Sequence, residues 1–251
     1  MEPEVYQQFY ELEKDHWWFR GMRYLCKKVI ETYCKDEECE HILDIGCGTG
    51  ELTKSLEIFG NVFGADSSAD ALAFCKKRGL YRLVRTSAEC TGFKDNFFSL
   101  IVAFGLIEHL NDDKLFLAEM RRILKDHGHL IILTSAFQFL WSSHDEIVHH
   151  KRRYTRGGLK KMMEGEGFRV NKISYINSFL FPAIAAVRFF QRRFDSLNRS
   201  RENFLGITNV PPLINSFFYK ILQAEAKILN YTDLPFGVGI ISVGEKKSVI
   251  T

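Results

Sequence analysis

What this 251-residue sequence lacks narrows its class before any motif is read. It has no uninterrupted apolar run of the ~20 residues that a membrane-spanning helix needs. The longest candidate, 179–190, is broken by Pro182 and Arg188, so no bilayer crossing is expected. The N-terminal stretch MEPEVYQQFYELEKDHWW has no apolar signal core, and no leader is expected. Six cysteines, Cys26, Cys34, Cys39, Cys47, Cys75 and Cys90, contain no CxxC pair, which excludes a finger or redox motif and fits a reducing cytoplasm. Cys34, Cys39 and His41 lie close together, but no second ligand pair follows at metal-site spacing, and no metal is expected. A dominant charge is also missing: 34 basic residues face 31 acidic ones, for a net charge of +3. Without a clustered basic face, nucleic acid is not an expected partner. There is no internal repeat and no low-complexity tract. With 46% hydrophobic and 26% charged residues, what remains is an ordinary globular chain able to bury one sizeable core.

What is present is an alternation of short β-branched runs with longer amphipathic stretches, the signature of a parallel sheet covered by helices. The runs are HILDIGC (41–47), NVFGAD (61–66), YRLVRTS (81–87), FFSLIVAFG (97–105) and GHLIILTSA (128–136). Helices are expected over 51–59, 68–78 and 112–126. In the last, Leu115, Leu117, Met120, Ile123 and Leu124 form the apolar face, and Gly128 marks its end. Beyond Ala136 come a polar, His-rich connection (142–156), a helix near 155–166, a strand over 168–176, a Phe-rich helical insertion over 178–235, and a last strand, GIISVGEK (239–246).

The chemistry is expected where HILDIGC runs into GTGELTKSL. Gly46, Gly48 and Gly50 occupy a turn between a buried strand and a helix N-terminus, where backbone N–H groups meet a ligand without an intervening Cβ. The spacing is GxGxG. A dinucleotide-binding turn requires GxGxxG, so a nicotinamide oxidoreductase is disfavoured. Asp66 ends the second strand, where a carboxylate can accept both hydroxyls of a ribose.

LDIGCGTGEL, GADSS, FFSLIVAFGLIEHLNDD and LKDHGHLIIL, in that order over 41–136, resemble the class I S-adenosylmethionine-dependent methyltransferases. The resemblance implies an α/β Rossmann-like fold with a seven-stranded, mostly parallel sheet and helices on both faces. It divides one domain into an N-terminal helical lid (1–40), a cofactor-binding core (41–136), an acceptor-side loop, helix and strand (137–177), a helical insertion (178–235) and a last strand with tail (236–251). S-adenosylmethionine is the implied cofactor. By resemblance Asp44, Gly46, Cys47, Gly48 and Gly50 surround its methionine half, and Asp66 and Ser67 hold the ribose. Ser87, Ala88 and Glu89 flank the adenine, and Phe104, Gly105, Leu106 and His109 lie beneath the sulfonium. Many relatives carry Asp at the positions of Ser87 and Ser99. HWWFRGMR and HDEIVHHKRRYTRGGLKKMMEGEGF are similar to a bacterial and archaeal branch often found beside genes for cell-surface glycan or lipid synthesis. There the first helices fold over the cofactor, which implies a lid of Trp17, Trp18 and Phe19 and a carboxylate contact from Arg20.

The expected reaction is transfer of a methyl group to a small-molecule, glycan or lipid-linked acceptor, O-methylation first. A protonated acceptor needs a base, for which His109, His150 and Asp145 are the candidates. Glu108 and His109 have a second reading as caps of the helix starting near Asn111. His149, Arg152, Arg153 and Tyr154 are candidate acceptor contacts, an anion clamp if they converge and a solvated basic face if they do not. The aromatic and basic insertion reads either as a peripheral lipid-facing surface or as a helical cap or dimer contact that buries its phenylalanines. A cofactor-binding module without turnover is the alternative function.

Overall fold

The structure is a computed structural model that describes residues 3–34, 40–194 and 210–248. Cys39, Arg199 and Arg201 lie outside them, as do the side chains of Phe189, Phe190, Arg192, Arg193 and Phe194. In chain order the elements are α1 (Pro3–Leu12), α2 (Trp17–Tyr33), β1 (His41–Ile45), α3 (Glu51–Leu56), β2 (Asn61–Asp66), α4 (Ala69–Lys77), β3 (Leu83–Arg85) and β4 (Phe98–Phe104). There follow α5 (Asp113–Ile123), β5 (Leu124–Ser135), α6 (Ser143–Ile147), α7 (Arg156–Gly165), β6 (Phe168–Ile176), α8 (Phe181–Phe194), α9 (Pro212–Ile228) and β7 (Gly239–Lys246).

The seven strands form one sheet in the order β3-β2-β1-β4-β5-β7-β6. Only β7 runs antiparallel to its neighbours, which makes this the seven-stranded, mostly parallel sheet that the resemblance implied. The chain winds outward from β1 in both directions, so the switch point lies between β1 and β4, and a crevice opens beyond their carboxyl ends. One face of the sheet is covered by α5 and α7, through Phe116, Leu117, Met120, Ile123, Leu159 and Met163. The other is covered by α2 and α9. The buried residues of α2, Gly21, Met22, Leu25, Cys26, Val29 and Ile30, recur at helical spacing and pack with Leu222, Ala226 and Leu229. At Gly21 even a Cβ would come within 2.2 Å of Leu222 Cδ1, so glycine is what lets the two helices approach.

Three local expectations are corrected. The third strand is only Leu83–Arg85, with Tyr81 88% exposed, because it is a sheet edge, where short strands suffice. On α5 it is Phe116 that faces the core, while Leu115 is exposed, a shift of one position around the helix. Strand β5 starts at Leu124, not at Gly128: Leu124 pairs with Phe98 and His129 with Leu100, across a bulge. At Gly128 a Cβ would meet Lys125 O at 2.9 Å and Ser99 O at 3.0 Å, so this glycine serves the bulge.

The insertion between β6 and β7 is helical in its described parts, and aliphatic side chains of α9 bury it. Its phenylalanines behave differently: Phe179 and Phe217 are exposed, Phe218 stacks on Trp17, and Phe181 packs against Phe137 and Phe236. Among the described residues no helix is long and apolar enough to cross a membrane.

Candidate functional site

The glycine turn after β1 takes positive φ at Gly46 (+75°), Gly48 (+54°) and Gly50 (+89°), the region L-residues avoid. Gly48 N donates to Asp66 Oδ2 at 3.0 Å and Ser68 N to Oδ1 at 2.9 Å. Asp66 therefore braces the turn and keeps lone pairs for a ligand. A cavity of ≈ 160 Å³ opens beside it, lined by Asp66, Ser67, Ser87, Ala88, Glu89 and Leu106 among others. A larger cavity, ≈ 310 Å³, starts at Asp44, Cys47 and Gly48 and continues over Phe104 and Gly105. Gly46 and His109 line both. One elongated ligand placed through this junction would touch every residue assigned to the cofactor by resemblance except two.

Those two are Arg20 and Gly50. Arg20 turns away and stacks its guanidinium 4.1 Å over the Tyr219 ring. Its neighbour one turn on, Arg23, lines the larger cavity instead and donates to Lys14 O at 2.9 Å. Gly50 is a packing glycine, since a Cβ there would stand 2.8 Å from both Cys75 Sγ and Leu80 Cδ1. Of the expected lid, Trp18 and Phe19 line the larger cavity, whereas Trp17 packs on Phe218 and donates its backbone N–H to Asn215 Oδ1 at 2.7 Å. Tyr6 and Phe9 of α1, with Glu13 just beyond it, complete the cover. Arg78 ties that cover down, donating to Tyr10 O, Thr49 O, Glu13 and Glu51. Ser99 has no part in the site, since it donates to His41 O at the far end of β4.

Asp44 is 1% exposed and accepts from Thr53 Oγ1 at 2.6 Å. Burial, with Glu13 and Asp66 nearby, pushes its carboxyl up to about 7. A buried carboxylate without a cation suits the ammonium of an amino acid moiety, which binds only the ionised form. Raised pKa means the folded apo chain holds a proton that the unfolded chain releases between about pH 4 and 7, so this group's contribution to stability falls as pH rises through that window. Affinity for the cofactor runs the other way. We expect it to weaken by up to about tenfold per unit below pH 7, a dependence that Asp44→Asn removes; calorimetric titration across pH checks it, and equal slopes for the two proteins would take Asp44 out of the site.

The loop after β5 forms the opposite end of the larger cavity. Asp145 is fully buried, and its ionised oxygens can only accept, so His150 Nδ1 carries the hydrogen it shares with Asp145 Oδ1 at 2.7 Å. The other ring nitrogen of His150 is left as an acceptor in a side chain that lines the cavity. His109 stands edge-on to His150, with ring centroids 4.6 Å apart. Burial lowers the pKa of His109 to about 4, so it is neutral near pH 7. Glu108 accepts from Thr134 Oγ1 at 2.8 Å and from Ser135, while Asp112 caps α5 through Lys114 N and Leu115 N. Glu108 and His109 are therefore not the helix cap.

The expected anion clamp does not converge. Arg153 is consumed by Asp145 in a bidentate pair, Nε to Oδ1 at 2.8 Å and Nη2 to Oδ2 at 2.9 Å. Arg152 goes to Asp113 at 2.9 Å and to the carbonyls of Leu110 and Asn111. Tyr154 is buried and donates to Asp113 and Ile107 O, and His149 is exposed on the outer side. At this end of the cavity the lining guanidinium is Arg188 of α8. Its sequence context, a Phe-rich apolar helix, points to an interface more than to a pocket. Among the described residues no group of three or more His, Cys, Asp or Glu could hold a metal ion.

A switch-point crevice with a glycine turn, an acidic strand end and a covered cavity beyond β4 defines a nucleoside-binding α/β protein of the methyltransferase type. The methyltransferase domain family matches residues 43–132. An uncharacterized protein of Methanocaldococcus jannaschii is 30% identical over 162 residues, 61% of this chain and 62% of that one. A ubiquinone/menaquinone biosynthesis C-methyltransferase of Paraburkholderia xenovorans is 37% identical over 110 residues, covering 40% and 44%. The matches thus span between about half and three fifths of those relatives. A chain in the complex between the Haloferax volcanii Trm112 methyltransferase activator and a methyltransferase shares the fold, with TM-score 0.64, 16% identity and coverage of 99% and 96%. Over residues 43–132 the chain is thus similar to the methyltransferase domain family, and its fold is that of a methyltransferase.

Proposed function

We propose that the chain transfers a methyl group to a hydroxyl of a small, largely apolar acceptor, with His150 as the base. The observation that carries this reading is the Asp145–His150 pair in the cavity wall, beside His109 and away from Asp66. S-adenosylmethionine, held by Asp44, Gly46, Gly48 and Asp66, supplies a methyl carbon on a sulfonium. The chain's own task is alignment and exclusion of water. Trp18, Phe19 and Phe104 wall the space, and the covered crevice keeps solvent out. Asp145 fixes the His150 ring and tautomer, and the free ring nitrogen takes the acceptor's hydroxyl proton. The bound sulfonium would supply the methyl carbon, with a neutral thioether as leaving group, and His150 would end with the acceptor's proton. His109, neutral, packs the base without competing for the proton.

We expect His150→Ala to lower turnover by about 10²- to 10⁴-fold with cofactor affinity unchanged, measured on catechol and hydroquinone as acceptors beside a calorimetric titration. Wild-type turnover in the variant would remove His150 from the reaction. A chain that binds the cofactor and methylates no acceptor would be a binding module. The Paraburkholderia xenovorans relative favours a second reading, in which the same deprotonation enriches an adjacent ring carbon and that carbon is methylated. The product's NMR spectrum separates a methoxy from a ring methyl.

A further inference from the structure

We infer that Arg188 anchors a carboxylate carried by the methyl acceptor. The inference rests on the acceptor end of the cavity lying beside His150, and it names the class of acceptor that end takes.

Arg188 reaches the cavity from α8. Its Nη1 donates to Leu140 O at 2.9 Å and stands 3.6 Å from Asp145 Oδ2. Its Nε and Nη2 have no partner among the described residues, and its side chain is 17% exposed. Asp145 cannot balance this charge. Oδ1 already accepts from His150 and Arg153, and Oδ2 from Arg153 and Ser142 N. Two guanidiniums thus share one carboxylate, which leaves one positive charge unbalanced.

The other acids lining the cavity are engaged elsewhere: Glu13 and Glu51 with Arg78, Asp44 with Thr53, Glu108 with Thr134 and Ser135. A largely buried cation with no counter-ion of its own among the described residues is costly. That cost shows in Arg188, whose pKa burial and the nearby Arg153 lower to about 10. A planar guanidinium edge with two free donors matches the two oxygens of a carboxylate. An acceptor that brings the missing negative charge would be held with its far end toward His150.

The test uses the full chain saturated with S-adenosylhomocysteine and two probes of nearly one shape, benzoate and benzamide, titrated by calorimetry. The wild-type chain is expected to prefer benzoate by about tenfold or more, the range of a charge-assisted hydrogen bond. Arg188→Met, which keeps the bulk, should remove the preference, and Arg188→Lys should keep part of it because it retains charge without the fork. A wild-type chain that does not distinguish the probes, or that binds neither at millimolar concentration, overturns the inference. So does an Arg188→Met variant that still prefers benzoate. If Arg188→Met fails to fold, full wild-type preference in Arg188→Lys overturns it and a reduced one supports it. His150→Ala should keep the benzoate preference, so a failure of the base reading leaves this result standing and can be told apart from it.

Discussion

Gly48→Val is expected to abolish S-adenosylmethionine binding in a chain that still folds. Gly48 sits at φ +54°, and a Cβ built on it meets nothing within 4 Å. The open space is the cavity that Gly48 lines together with Asp44 and Cys47. A valine there carries two further methyl groups into the volume the methionine half requires. It also holds a β-branched residue in the left-handed region, at a cost of about 1 to 3 kcal/mol, a tolerable fraction of an ordinary domain's 5 to 15 kcal/mol. Gly79→Val supplies the control, because Gly79 also has positive φ, +80°, with open space around it and lines neither cavity of the site. Both variants should melt slightly earlier, while only Gly79→Val binds normally in a calorimetric titration. Normal binding by Gly48→Val would reduce the glycine turn to a structural feature.

Arg153→Ala is expected to destabilise the fold by about 3 to 5 kcal/mol, the cost of stranding a buried charge. Arg153 and Asp145 are 1% and 0% exposed in their side chains, and the guanidinium also donates to Ala136 O at 3.0 Å. Burial raises the carboxyl of Asp145, but its bonds to His150 and Arg153 outweigh that and hold it well below the usual carboxylate range. A depressed carboxylate contributes stability above its unfolded pKa, near pH 4, and loses it as pH falls further. Arg153→Ala removes the bidentate partner, so the destabilisation should be largest at neutral pH and the variant should show a flatter decline in acid. Urea denaturation at pH 7 and pH 4 measures both. A midpoint within error of wild type at pH 7 would mean the pair is not held as described. Asp145→Asn with Arg153→Met should be milder than the single change, because the fully buried carboxylate is then removed together with its bidentate partner.

These two residues mark how far the sequence carries. Gly48 was legible because a glycine turn between a β-branched run and a helix start is a local pattern, and local backbone geometry depends on local residue type. The same holds for Asp66 at a strand end, for the existence of the seven strands, and for the GxGxG spacing that disfavours a dinucleotide. Arg153 was legible only as a charge in a basic run, with a solvated face as the default reading and a clamp as the other. Its pairing with Asp145, eight residues away, comes from a short helix and a turn that composition does not encode.

Arg20 and Arg23 show the same division along one helix. Each faces roughly the same side of α2, yet which guanidinium enters the cavity is decided by Tyr219 of α9, some 200 residues on, which takes Arg20 by stacking. The cover over the crevice likewise depends on Arg78 drawing α1 onto α4 and the glycine turn. Arg188 reaches the acceptor end because α8 crosses over the loop after β5. The sequence alone determined the strands and the glycine turn, since these follow from periodicity and backbone conformation along contiguous residues, and the resemblance of those segments to a known family implied the cofactor. The tertiary structure decided which charged side chains face the cavity, because long-range packing of helices sets where a flexible charged side chain finds its partner.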